Sequence, residues 1–137
     1  MITREELSEM AIEAMAHAYS PYSGYKVGAA LLCADGTVYT GANIENASYG
    51  VSNCAERTAF FKAVFDGKRA FTDIAVCGGK GGVLDDEIFS PCGVCRQVMR
   101  EFCGDDFRIH MVTKSSITTV TLAELLPHGF KPDRLER

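Results

Sequence analysis

The sequence predicts an α/β fold: a mixed sheet with helices on both faces. Three observations carry that expectation. A helical pattern opens the chain, a tight two-strand hairpin follows, and the remaining length alternates helical and strand-like segments. At 137 residues, without repeat or linker, the chain fits one domain spanning 1–137. Apolar residues make up 47% and charged residues 23%, enough to bury a core and too apolar for a disordered chain.

The first helix is expected over Thr3–Tyr19. Thr3 and Glu6 have capping-box spacing, and Leu7, Met10, Ala11, Ala14, Met15 and Ala18 form one apolar stripe. Ser20-Pro21-Tyr22-Ser23-Gly24 reads as a turn. A near-continuous apolar strand covers Lys26–Cys33, Asp35-Gly36 reverses the chain, and Thr37–Ala42 returns beside it. Asn43–Asn53 is a polar loop, and a second helix covers Cys54–Phe65. A third strand is expected at Asp73–Cys77, then a flexible glycine-rich loop at Gly78–Gly82 that lacks the ending of a phosphate-binding loop. A third helix covers Pro91–Cys103, with Pro91 in its first turn. Strands at Phe107–Thr113 and Ile117–Val120 follow, then a short capped helix at Thr121–Leu126 and a solvated tail, KPDRLER.

Bulk charge narrows the function. Net charge is −4 and the pI about 5.3, with no Lys/Arg run to track phosphates, which argues against nucleic-acid polymers as partners and fits a small neutral substrate. No apolar run approaches the roughly 18 residues of a membrane span. The charged, amphipathic start MITREELSEM has no signal-peptide core, so a cytoplasmic location is expected. In that setting a tight Cys-x-x-Cys points to metal or redox chemistry rather than to disulfides.

Two short stretches carry the chemistry: Cys54-Ala55-Glu56-Arg57 and Pro91-Cys92-Gly93-Val94-Cys95-Arg96. Cys92 and Cys95, three apart, fall on one helix face. Cys54 comes from the start of another helix, where the partial positive charge favours the thiolate. Three thiolates suit Zn²⁺. Cys54 has no Cys or His within four residues, and Cys33, Cys77, Cys103, His17, His110 and His128 are all isolated, so the simplest count is three ligands and one open position, the layout of a catalytic zinc. Glu56, two residues from a ligand, can stand near the metal without binding it and move protons there. Three thiolates and Zn²⁺ sum to −1, and Arg57 and Arg96, each next to a ligand, are candidate donors to sulfur that offset this charge. By itself, Cys92-x-x-Cys95 also fits a redox pair or a structural zinc module. The other three cysteines read as buried small apolar residues.

Taken together, the motifs resemble the small cytidine deaminases over nearly the whole chain: PYSGYKVGAALL at 21–32, GANIENASYG at 41–50, NCAERTAFFKA at 53–63, SPCGVCRQVM at 90–99 and ELLPHGF at 124–130. The resemblance implies a three-layer α/β/α cytidine-deaminase-like catalytic domain with one Zn²⁺ per chain held by Cys54, Cys92 and Cys95. It implies hydrolytic deamination of cytidine and 2′-deoxycytidine to uridine and 2′-deoxyuridine in pyrimidine salvage. Glu56 would pass protons to N3 and then to the leaving ammonia, and Arg57 would hydrogen-bond the ligand thiolates. Asn43 and Glu45 would bind the ribose 3′-hydroxyl, and the Ala55 backbone would help read the base. Tyr25 and Phe130 would surround the base, although Tyr25 stands where a Phe is common. Ala47 and Tyr49 would reach the sugar end of a neighbouring subunit's site, since small members are homotetramers with shared active sites. From the residues alone, Asn43 and Glu45 lie two apart on an extended segment and point the same way, as a sugar-hydroxyl site needs.

Other readings stay open at this level. One is deamination of another cytosine compound such as blasticidin S, against which the Asn43–Asn46 loop favours a nucleoside. A polymer-editing deaminase lacks the basic groove it needs. A non-catalytic zinc module leaves Glu56 without a purpose. The acidic, glycine-rich segment GGKGGVLDDE, 78–87, matches none of these functions.

Overall fold

The computed structural model describes residues 1–135. Five strands form one mixed sheet in the order β2-β1-β3-β4-β5: β1 (Tyr25–Cys33), β2 (Val38–Ala42), β3 (Phe71–Lys80), β4 (Arg108–Val112) and β5 (Ile117–Thr121). Only β3 and β4 run parallel; the other pairs are antiparallel. Helix α1 (Arg4–Ala14) covers one face, and α2 (Ala55–Phe65) and α3 (Gly93–Phe102) cover the other, giving three layers. A short α4 (Leu122–Leu125) follows β5.

Burial on both faces explains why β1 reads as an unbroken apolar run. Val27, Ala29 and Leu31 pack under α2 with Ile74 and Val76 of β3, while Ala30 and Leu32 pack under α1 with Ala75 and Cys77. Phe60 of α2 is fully buried among Phe71, Phe102 and Phe107 and anchors that helix to the sheet. Its approach depends on Gly41. A Cβ there would overlap the Ala55 carbonyl and come within 2.6 Å of the Ala59 amide. The bare backbone of β2 therefore lets the N-terminal turn of α2 lie directly on the sheet.

The predicted elements are present, with four corrections. First, α1 stops at Ala14 and continues only as a 3₁₀ turn over Met15–His17. Pro21 biases the preceding chain toward extended conformations, and the Tyr19 backbone is taken by the 43–45 loop, donating to the Asn43 carbonyl (2.9 Å) and accepting from the Glu45 amide (2.8 Å). Second, α3 begins at Gly93, so Pro91 lies outside it and Cys92 is its N-cap. Third, Gly78–Lys80 is not loop but the end of β3, paired with Tyr25, Lys26 and Val27; only Gly81 and Gly82 turn, with φ of 63° and 86°. A Cβ at Gly79 would overlap the Val83 carbonyl, so the glycine serves the segment folding back over the strand. Fourth, within the tail expected to be solvated, Pro132–Leu135 forms a 3₁₀ turn; residues 136–137 lie outside the described residues. Both capping boxes, Thr3 with Glu6 and Thr121 with Glu124, are formed. No helix among the described residues is long and apolar enough to cross a membrane.

Candidate active site

Two helix starts meet on the α2/α3 face of the sheet. Cys54 is the N-cap of α2, Cys92 is the N-cap of α3, and Cys95 lies in the first turn of α3. Neither N-cap thiol makes a side-chain capping bond, so both sulfurs are free for other partners. The three Sγ atoms lie within 4.8 Å of one another, with Cys54 and Cys92 at 3.7 Å. Thiolates bound tetrahedrally at about 2.3 Å stand about 3.8 Å apart, so the spacing fits one zinc ion. The Cys54 thiol is drawn down to about 5, most strongly by hydrogen bonding with Cys95 and further by Arg57. Arg57 donates from Nη2 to Cys54 Sγ at 3.3 Å. Burial pushes the Cys77 and Cys103 thiols up to about 12, which suits inert packing residues.

Glu56 occupies the first turn of α2 and is 1% exposed. Its Oε1 is buried without a hydrogen-bond partner. Burial pushes the carboxyl up to about 7, and the adjacent Cys54 thiolate adds to the shift. A native chain rarely leaves a buried carboxyl oxygen unpartnered, and such a group beside three convergent thiols is placed for proton exchange.

A pocket of about 410 Å³ opens over this cluster, lined among others by Tyr25, Asn43, Glu45, Tyr49, Ala55 and Glu56. Its volume lies within the range of small-molecule sites. Asn43 uses both ends of its amide on β1, accepting from the Val27 amide and donating to the Tyr25 carbonyl, each at 2.9 Å. Glu45 accepts from the Tyr22 and Ser23 amides at 3.0 and 3.1 Å and from the Ser23 hydroxyl; the Ser23 bonds hold its carboxyl below the usual range. Both residues therefore shape the pocket rim and still face it, with spare hydrogen-bonding capacity on each side chain.

Phe130 and Ala47 do not line this pocket. Phe130 is 57% exposed, lies outside the pocket and accepts at its carbonyl from Gln97 Nε2. Ala47 is exposed outside the pocket, whereas Tyr49 lines the pocket of its own chain. Arg96, expected to donate to sulfur, instead ties down the chain around α3, donating to the Pro91 and Leu125 carbonyls and to Ser90 Oγ. Sequence reasoning missed Phe89. Its ring lines the pocket and stacks on Tyr25 at 5.9 Å and 24°. The only signal was an aromatic residue three positions before a ligand cysteine. His110, buried, joins Asp73 (2.7 Å) and Thr119 (2.8 Å) on the opposite face, far from the thiols in the fold; His17 and His128 are exposed.

Comparison with known proteins agrees with this geometry. The family model for the cytidine and deoxycytidylate deaminase zinc-binding region matches residues 1–111. A cytidine deaminase of Sporosarcina psychrophila is 48% identical over 96% of this chain and 93% of its own, and one of Halalkalibacterium halodurans is 48% identical over 93% of each. The crystal structure of cytidine deaminase from Burkholderia pseudomallei superimposes with a TM-score of 0.87, at 42% identity, covering 94% of this chain and all of that one. With three thiols spaced for one zinc, a buried carboxylate beside them and that match over most of its length, the chain belongs to the cytidine and deoxycytidylate deaminase zinc-binding family.

Proposed function

We propose that this chain is a zinc-dependent hydrolase that converts cytidine and 2′-deoxycytidine to uridine and 2′-deoxyuridine with release of ammonia, in pyrimidine salvage in the cytoplasm. Residues 1–137 form one catalytic domain in this reading. The observation that carries it is the buried Glu56 carboxyl, its Oε1 unpartnered, beside the clustered Cys54, Cys92 and Cys95 thiols, with Glu56 and Cys54 lining the pocket.

Cys54, Cys92 and Cys95 hold Zn²⁺, which when bound supplies a Lewis acid able to ionise water near neutral pH. Arg57 keeps the ligand sulfur anionic by donating to Cys54. Glu56, with its carboxyl pushed up to about 7, takes up and releases protons at working pH: it protonates N3 of the base and then the departing amine. Burial of Glu56 limits leakage of those protons to solvent. The base lies along the Tyr25 ring, and the Ala55 amide, at the first position of α2, has no partner within the helix and is free to read a pyrimidine oxygen. Asn43 and Glu45 meet the ribose hydroxyls at the pocket rim.

The assembly is a homotetramer with shared sites. Exposed apolar side chains on the two helices that carry the site support this: Phe61 and Phe65, four apart on α2, and Val94 on α3. Phe130, outside its own pocket, is then available to a neighbour's. The test is ultraviolet absorbance of cytidine with purified protein, and zinc counted on the same sample. Loss of the cytidine band with about one zinc per chain is expected. Bound zinc with no turnover of cytidine or deoxycytidine would sink the nucleoside reading.

A further inference from the structure

The acidic segment after β3 has a physical link to the pocket. The Tyr25 hydroxyl donates to Asp85 Oδ2 at 2.6 Å. Tyr25 lines the pocket and Asp85 does not, so this bond ties a pocket residue to a segment outside it. Asp85 is itself fixed at both backbone ends: its amide donates to the Gly78 carbonyl and its carbonyl accepts from the Lys114 amide, each at 2.9 Å. Phe89, four residues later, stacks on the same tyrosine. Both rings lie on the bare backbone of Gly78, where a Cβ would come within 2.9 Å of Tyr25 and 3.3 Å of Phe89. Burial and the neighbouring Asp85 push the Tyr25 hydroxyl up to about 12, so it stays a donor throughout the neutral range.

We propose that Asp85 is a positioning residue for the base: by holding the Tyr25 hydroxyl it fixes the Tyr25 ring and the 81–89 segment that carries Phe89, so that the two aromatics form one rigid pocket wall. The proposal rests on the nucleoside reading above for the identity of the ligand. Without the latch, a tyrosine in this place has two costs. Its hydroxyl loses the acceptor that holds it, and Phe89 is held by stacking and burial alone. With it, both ring planes are set before substrate arrives, which favours binding by preorganisation. Phe89 stands three residues before Cys92, so the same latch also steadies the strand of chain that leads into the ligand pair.

The experiment compares wild type with Tyr25→Phe, Asp85→Ala, Asp85→Asn and the Tyr25→Phe/Asp85→Ala double variant, all zinc-loaded. Steady-state kinetics on cytidine are measured together with amide hydrogen exchange of residues 81–90 without substrate. Tyr25→Phe and Asp85→Ala should each raise KM about two- to tenfold, the range one net hydrogen bond carries, with a smaller change in kcat. Each should also speed exchange of 81–90 at unchanged zinc content. The double variant should be no worse than either single one, and Asp85→Asn, which keeps an acceptor oxygen, should recover much of the loss. Wild-type KM and exchange in Tyr25→Phe would overturn the proposal, as would additive losses in the double variant, or a loss in Tyr25→Phe without one in Asp85→Ala. Tyr25→Phe and Asp85→Asn keep the test decisive if Asp85→Ala does not fold. A wild type inert toward cytidine would defeat the nucleoside reading instead, and the exchange data would then decide the latch alone.

Discussion

At the scale of single residues, the site is a set of groups held in states they would not adopt in water. The Cys54 thiol is drawn down to about 5 and the Glu56 carboxyl pushed up to about 7, one by hydrogen-bond donors and the other by burial. Arg57 donates to Cys54, while its charge works against the upward shift of Glu56, which burial dominates. Replacing Arg57 with Gln should weaken zinc binding about 10–100-fold, the usual range for loss of a supporting bond to a metal ligand, as read by competition with a chromogenic chelator. An unchanged zinc affinity would show that Arg57 does not support the thiolate. The ligands and Glu56 were legible in the sequence because metal chemistry needs particular residue types at close spacing. Phe89 and Asp85 were not. Each sits in a stretch with no periodicity, and their meeting with Tyr25 depends on how 81–89 folds back over β3. Arg96 shows the opposite error: adjacency to a ligand put it in the expected set, but at the α3 start its side chain points to the Pro91 and Leu125 carbonyls.

At the scale of elements, the geometry of the thiols follows from how closely α2 lies on the sheet. Gly41→Ala would drive a methyl into the Ala55 carbonyl and the Ala59 amide. The cost should be about 1–3 kcal/mol, the usual range for overpacking, visible as a lower denaturant midpoint together with weaker zinc retention. Loss of stability with full zinc retention would uncouple helix placement from the site. On the other face, Asp73 of β3 receives two bonds from Arg108 of β4, both at 2.8 Å, and one from His110. Burial alone would raise the Asp73 carboxyl, but these donors outweigh it and leave it below 3.8. The sign follows: the unfolded chain takes up this proton first as pH falls, so the contribution is complete above about pH 4 and is lost as pH drops through the lower folded value. Asp73→Asn should therefore be less stable than wild type at pH 6, and the gap should close as pH falls below about 4 in acid titrations followed by circular dichroism. A gap that widens in acid would contradict this. Strand positions were mostly readable because burial on both faces gives long apolar runs. The two misjudged ends have tertiary causes. Gly78 and Gly79 read as loop, yet pair in β3 because the returning chain needs their missing side chains. Tyr19 read as helix, yet its backbone is claimed by the 43–45 loop.

At the scale of the whole molecule, one chain supplies a pocket but leaves apolar surface without a partner. Phe65 is 90% exposed at the end of α2, and Phe61 and Val94 accompany it. The three-layer order and the presence of each α-helix, though not every helix end, were legible from sequence alone. The exposure of these side chains was not, because single apolar residues on a helix exterior are normal and their burial state is set by the fold. Light scattering should give the mass of four 14.9 kDa chains, and Phe65→Asp should shift it to smaller species with reduced activity. A wild-type protein that is monomeric at working concentration yet fully active would contradict the shared-site tetramer.

The most direct test of the central claim, that Glu56 moves protons beside a zinc held by three cysteines, is the Glu56→Gln variant assayed on cytidine with its zinc content and thermal stability measured in parallel. Turnover should fall by at least about 10²-fold, the low end for loss of general acid–base catalysis, while about one zinc per chain and the fold remain. Stability should hold or rise, since a buried carboxyl with an unpartnered oxygen has been replaced by a neutral amide. Near-wild-type turnover by a zinc-loaded Glu56→Gln protein would contradict the claim outright.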